Sequence, residues 1–160
     1  MKKFIYGIAA VKFEDMTLGY IEKGSFDWGG KKGESTDVEA EQVPGVPVLT
    51  LVTKNGNISP TFNIIQLDYK NLKACLGGTL VGSESEPTGW KAPSELVELR
   101  GEFNIDFVSG QTMTIPNALL MSNLAGKLTL TEVSKIECQL YINAPEDGGA
   151  PYEINDTEEG

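Results

Sequence analysis

The sequence predicts a mainly β protein with one short α-helix, folded as an antiparallel sandwich or barrel. Three observations carry that prediction. Branched and aromatic residues recur in short runs separated by Gly, Asn and Ser clusters. In residues 96–108, Val97, Leu99, Phe103, Ile105 and Phe107 alternate with Glu98, Arg100, Glu102, Asn104 and Asp106. A strand with that pattern keeps one face in a core and one in water. One stretch, 61–78, switches from β-rich residues to a helical period and ends at a glycine pair.

Taken in order, residues 4–13 and 18–21 read as opening strands. The long connection 24–45 follows, with Phe26, Trp28, a Gly-Gly-Lys-Lys-Gly run at 29–33 and an acidic strand-like piece at 36–43. Connections of such length are usually functional or disordered. Residues 48–53 and 58–66 read as a hairpin joined by Lys54-Asn55-Gly56-Asn57, because Asn-Gly accepts the positive φ of a tight turn. Within 61–78, Phe62, Ile64 and Ile65 form an apolar run. Asp68 stands where an N-cap belongs, and Tyr69, Leu72, Cys75 and Leu76 share a helical face. Gly77 supplies a left-handed stop and Gly78 lets the chain turn away. A helix of about ten residues is marginal alone in water, so it must be pinned to the sheet.

The segment 82–93, with Trp90, reads as a loop. A second hairpin joins 96–108 to 111–119 through Ser109-Gly110. A third pairs 128–131 with 135–142, placing Ile136, Cys138, Leu140 and Ile142 on its apolar side. Residues 143–160 hold six acidic residues and no basic one, and read as an arm or a disordered tail.

A chain of 160 residues with 40% hydrophobic content suits one domain, here 1–142, followed by that tail. No internal repeat and no membrane-spanning run is present. The apolar start is short and runs at once into Lys12 and Glu14, so it reads as a strand and not as a secretory signal. Cys75 and Cys138 fall on separate apolar faces and read as buried, reduced thiols.

Chemistry is hard to find. There is no histidine, so the usual general base and commonest metal ligand are missing. Two cysteines on separate faces cannot build a zinc site. The run at 29–33 lacks the spacing of a phosphate loop. No catalytic, cofactor or metal residues are assigned, and a non-enzymatic role is expected. A net charge of −10 with a single arginine, Arg100, makes a poor grip for DNA or an anionic membrane. It suits a surface that stays near DNA without sticking, since the duplex carries about one charge per 1.7 Å.

The unit at 61–78 resembles a block of the major tail tube proteins of long-tailed bacteriophages: a strand, an acidic or polar residue, then a helix of the type Asn-Leu-x-x-x-Leu-Gly-Gly, here Asn71-Leu72-Lys73-Ala74-Cys75-Leu76-Gly77-Gly78. The opening also resembles that family, with Ile5 to Phe13 followed by Leu18-Gly19-Tyr20-Ile21. So does the hairpin from Glu98 to Phe107 through Thr112-Met113-Thr114-Ile115-Pro116-Asn117-Ala118. The matches fall in family order across most of 4–142, while 82–93 and 143–160 have no counterpart.

The resemblance implies a β-sandwich or barrel flanked by a helix, assembled with copies of itself into six-membered rings that stack as a hollow tube. In that family the tube passes double-stranded DNA from capsid to host, its channel wall is commonly acidic, and it contacts other tail proteins without engaging a membrane. The protein would be made in the bacterial host cytoplasm and reside in the virion tail. Neighbouring subunits would pair open sheet edges, with the long loop and the tail bridging to the next ring. Two acidic rows are channel-lining candidates: Glu98, Glu102 and Asp106, or Asp37, Glu39 and Glu41. Phe26 and Trp28 are candidate loop anchors on a neighbouring subunit, or alternatively pack on their own domain. Two other readings stand beside this one. The first is an inner-tube protein of a contractile injection or secretion apparatus; the second is a carbohydrate- or ligand-binding β-sandwich using exposed Trp28 and Trp90.

Overall fold

Alternating residues build the centre of the molecule, seen in a computed structural model that describes residues 3–157. The chain forms β1 (Ile8–Phe13), β2 (Met16–Leu18), β3 (Glu34–Val38), β4 (Leu49–Lys54), β5 (Thr61–Ile64), α1 (Tyr69–Leu76), β6 (Thr79–Gly82), β7 (Pro87–Lys91), β8 (Leu99–Phe107), β9 (Gln111–Ala125), β10 (Lys135–Ile142) and β11 (Glu153–Asp156). The main sheet is antiparallel in the order β2-β1-β8-β9-β10-β5, with β11 added to β9. Two further antiparallel ribbons, β3-β4 and β6-β7, stand apart from it. The architecture is mainly β with one short helix among the described residues.

The inward row of β8 does what its pattern requires. Phe103 and Ile105 are fully buried and Phe107 nearly so, while Arg100 and Glu102 face outward. Phe103 sits between Phe13 and Phe62, at ring-centroid distances of 6.0 and 5.9 Å. Val11, Ile64, Met113, Ile115, Ile136 and Leu140 complete the core, all at 0% exposure.

The sheet does not close as a barrel. Its β5 rim is nonetheless covered, because residues 20–31 leave β2 and run along that edge. Glu22 N–H donates to Asn63 O at 2.8 Å, and Asp27 and Thr61 exchange a pair of bonds of 2.9 Å. Isolated bridges Ile21–Ile64, Asp27–Thr61 and Lys31–Asn57 mark this strap. This rim is therefore not an open edge: backbone donors and acceptors at an edge must find partners, and these find them within the chain.

Helix α1 follows the expected unit closely. Asp68 caps it, its Oδ1 accepting from Asn71 N–H at 2.9 Å. Gly77, at φ +78, returns its N–H to Lys73 O at 2.9 Å. Leu72 and Cys75 are buried against the sheet, but Tyr69 is 43% exposed and does not join that face.

Several expected elements differ. The first strand starts at Ile8, not at residue 4: Gly7 adopts φ +70, and Phe4, Ile5 and Tyr6 before it are exposed. Residues 48–53 and 58–66 do not pair with each other. Instead β4 pairs with β3, the acidic strand-like piece, with Val38 opposite Leu49 and Asp37 opposite Thr50. Asn55-Gly56 is then a crossing point, not a tight turn; a Cβ on Gly56 would stand 2.6 Å from Lys31 O, and one on Gly33 2.3 Å from Lys54 O. Residues 128–131 form no strand, with Leu128 and Leu130 exposed, because β10 takes the far half of β9 from Ala118 to Ala125. The supposed loop 82–93 contains β7, whose Trp90 Nε1–H closes the helix end on Gly77 O at 2.8 Å. The tail is ordered far enough to place β11 against Gln111–Thr114. Residues 158–160 of that tail, and Met1 and Lys2 of the apolar start, lie outside the described residues.

Candidate functional site

Two surfaces concentrate what this chain can offer a partner. The first is the ribbon β3-β4 with its tip, residues 39–48. Every residue of both strands is exposed. In an antiparallel pair, opposed residues share a face, so Thr36, Val38, Leu49 and Leu51 line one side. Ser35, Asp37, Thr50 and Val52 line the other, where Thr50 Oγ1–H donates to Asp37 Oδ1 at 2.9 Å. One side of the ribbon is therefore apolar and one largely polar, the pattern of a strand pair that covers something. Among the described residues nothing covers it: Val38, Leu49 and Leu51 are 39%, 52% and 48% exposed.

The tip carries Val43, Val46 and Val48 in the open, with Pro44 and Pro47 stiffening it. The base is pinned where Lys31 and Asn57 exchange backbone bonds of 2.8 and 3.0 Å. A Lys54–Glu34 ion pair at 3.7 Å adds little, since both ends are solvated. The outer edges of β3 and β4 have no ladder partner among the described residues. The ribbon thus presents both an apolar face and unfilled backbone hydrogen-bonding capacity.

The second surface is the outward face of β1, β8, β9 and β11. Asp106, Thr112 and Asn155 form one row, and Asn104, Thr114, Lys12 and Glu153 the next. Thr112 Oγ1–H donates to Asp106 Oδ1 at 2.9 Å and Thr114 Oγ1–H to Asn104 Oδ1 at 3.0 Å. Lys12 Nζ lies 3.7 Å from Asp106 Oδ2. At the far end Arg100 meets Glu98 at 3.2 Å and donates to Asn143 Oδ1 at 2.7 Å. The face is polar and hydrogen-bonded within itself, with its acids partly offset by Lys12 and Arg100.

The expected site residues fall as follows. Glu98, Glu102 and Asp106 share the outward side of the β8 region, Glu98 preceding the strand itself. Asp37 lies on the polar side of the ribbon, and Glu39 and Glu41 at its exposed tip. The two rows belong to different surfaces. Phe26 and Trp28 are half-buried on their own core: Phe26 stacks on Phe62 at 6.3 Å, and Trp28 packs on Phe107 at 5.9 Å. Both rings therefore pack on their own domain while keeping part of their surface in the open. They also wall a cleft of about 530 Å³ with Ile8, Ile21, Phe107 and Val108. Trp90 is half-buried as well, and its indole N–H is engaged, so neither tryptophan is fully exposed.

Cys75 and Cys138 do not lie on separate faces. Both are buried free thiols, and they meet: the hydrogen bond with Cys138, and then burial, pushes the Cys75 thiol well up. Ser122 Oγ–H also reaches Cys138 Sγ at 3.4 Å. The ribbon's apolar face went unread in the sequence because 48–53 was paired with 58–66 through Asn55-Gly56; the strand-like piece that follows Gly33, acidic at Asp37, is its actual partner. No group of three or more potential metal-ligating side chains occurs among the described residues, and none of their helices is long and apolar enough to cross a membrane. No protein-family model matches the chain, and no curated protein matches it in sequence.

Proposed function

We propose that the chain is a self-assembling structural subunit of the tail tube type, which joins copies of itself into rings and stacks them into a tube that passes double-stranded DNA. The observation that carries this reading is the β3-β4 ribbon. A small domain that buries its core this fully has no use for a one-sided apolar ribbon unless another molecule covers it. A second copy is the simplest cover, and a repeated heterologous contact of that kind closes rings and extends along an axis.

The polar, hydrogen-bonded face of β1, β8 and β9 supports the same reading as the bore wall. A broad hydrogen-bonded sheet carrying Glu98, Glu102 and Asp106 makes a more continuous wall than the separate ribbon carrying Asp37, Glu39 and Glu41. A wall that lets DNA slide should repel phosphate without gripping it, and carboxylates flanked by threonine and asparagine do that. The ring number, the virion location and the choice between a phage tail and a related injection tube belong to this proposal too.

The test is assembly of the full chain carrying Leu49→Asp and Leu51→Asp. The parent protein is expected to give rings or tubes under negative stain and fast-sedimenting species. The variant is expected to remain monomeric with unchanged thermal unfolding, because both side chains are exposed. A parent that stays monomeric at every concentration, or a variant that assembles equally well, ends the reading.

A further inference from the structure

Strand β11 sits on the edge of β9 in a way that leaves it free to be replaced. All four of its residues are exposed. Its register, Glu153–Thr114, Ile154–Met113, Asn155–Thr112 and Asp156–Gln111, rests on the backbone ladder. Ile154 lies opposite the fully buried Met113, yet is itself 38% exposed, so it is not locked into the core. Beyond the ladder, Thr157 N–H donates to Gly110 O at 2.9 Å, and the Thr112 and Thr157 hydroxyls meet at 2.7 Å. Such solvated contacts hold an element near the low-stability end of a fold.

The seat itself is an open edge without β11. β8 takes one side of β9 from Leu120 back to Thr112, while β10 takes the other side only from Ala125 to Ala118. Pro116, which has no N–H to offer, separates the β10 stretch from residues 111–114. The connector 143–152 is mostly exposed and contains Pro145, Gly148, Gly149 and Pro151; around Gly148 there is nothing within 4 Å of a Cβ position. Ten extended residues reach roughly 33 Å, enough to leave one copy and enter a neighbour.

We infer that β11 is an exchangeable strand, and that the edge of β9 at Gln111–Thr114 accepts residues 153–157 of a second copy. The occupant follows from the register: the sequence that fits this edge is the chain's own, so a copy fits it identically, as in domain swapping. A tethered strand is held at an effective concentration of order mM, so exchange requires copies crowded to a similar level, as in any assembly or concentrated solution. This inference does not depend on the tube reading, since two copies suffice.

The experiment mixes two full-chain variants, Thr112→Cys and Asn155→Cys, one carrying a mass tag, at about 1 mM, and oxidises them with glutathione disulfide. Residues directly opposite on antiparallel strands stand about 4.5–5.5 Å apart, within the Cα span a disulfide accepts. Exchange predicts cross-linked pairs of unlike chains at least about tenfold above a control mixture of Thr112→Cys with Glu84→Cys, whose thiol lies on the β6-β7 turn. Cross-linking no greater than the control overturns the inference. Should Thr112→Cys fail to fold, the next register pair, Thr114→Cys with Glu153→Cys, is read the same way.

Discussion

The sheet around Phe103 and the ribbon at 34–54 are both antiparallel β, both carry strings of apolar side chains, and yet they treat those residues oppositely. In the sheet, Ile105, Met113 and Ile115 are at 0% exposure; in the ribbon, Leu49, Leu51 and Val52 are 52%, 48% and 70% exposed. The difference is not one of propensity, which suits strands in both places. It is one of closure. β8 has neighbours on both sides and its inward face lies in the core, whereas β3 and β4 have only each other among the described residues. One region is folded for the chain's own stability, and the other holds its shape while contributing almost none.

The sharpest way to break this comparison is truncation at matched positions. Phe103→Ala removes a fully buried ring between Phe13 and Phe62 and should cost about 3–5 kcal/mol. At this chain length that lowers Tm by roughly 10 °C. Leu51→Ala, in the exposed ribbon, should change stability by less than about 0.5 kcal/mol. Thermal unfolding of dilute, unassembled protein measures both; comparable losses would mean that the ribbon is packed after all.

Intermediate effects sharpen the boundary between the two regions. Asp68→Ala deletes the cap of α1, whose Leu72 and Cys75 lie on the sheet, and should cost about 1 kcal/mol. In the β1-β2 turn, Glu14 and Asp15 adopt φ +50 and +65, a left-handed conformation that glycine adopts freely. Asp15→Gly should be stabilising, by up to about 1 kcal/mol, because it relieves that strain; Glu14 should be kept, since its Oε1 accepts from Glu102 N–H at 3.2 Å. Both shifts are readable as changes in denaturant midpoint.

What the sequence showed, and what it hid, follows the same division. The alternation of β8 and the capped helix were legible because each is set by neighbours within a few positions: period 2, a carboxylate at the cap, a glycine at the stop. The ribbon was misassigned because Asn55-Gly56 satisfies a tight turn and a backbone crossing equally well, and only the approach of Gly33 decides between them. Pairing of β10 with the end of β9, not with 128–131, depends on β9 running fifteen residues, which nothing local announces. β11 leaves little side-chain signature because its pairing is made mainly by backbone. The meeting of Cys75 with Cys138 depends on how a helix lies across a sheet. Of the candidate site residues, the acidic row of β8 was readable as a face, while the apolar side of the ribbon was not.

The smallest expected effect concerns the strap at 20–31, which lies between the two regions and shields the β5 rim. Glu22 anchors it: Lys135 Nζ donates to Oε2 at 2.9 Å, and Asn63 Nδ2–H donates to Oε1 at 3.1 Å. The hydrogen bond from Lys135, followed by that from Asn63, holds the Glu22 carboxyl below its ordinary value of 4.5. A carboxyl depressed in the folded state binds its proton more readily when unfolded. Its stabilising contribution is therefore complete above the ordinary value and is lost as the pH falls through the lower folded one. The pair is partly solvated, so the effect should be modest and weaken with salt. Amide exchange at Glu22 and Asp27, whose N–H groups bond to Asn63 O and Thr61 O, should accelerate below pH 4.5 beyond what unstructured peptide shows, while the β8 core stays protected. Glu22→Gln should remove that acid-dependent step; an unchanged profile would show that the strap is held by its backbone bonds alone.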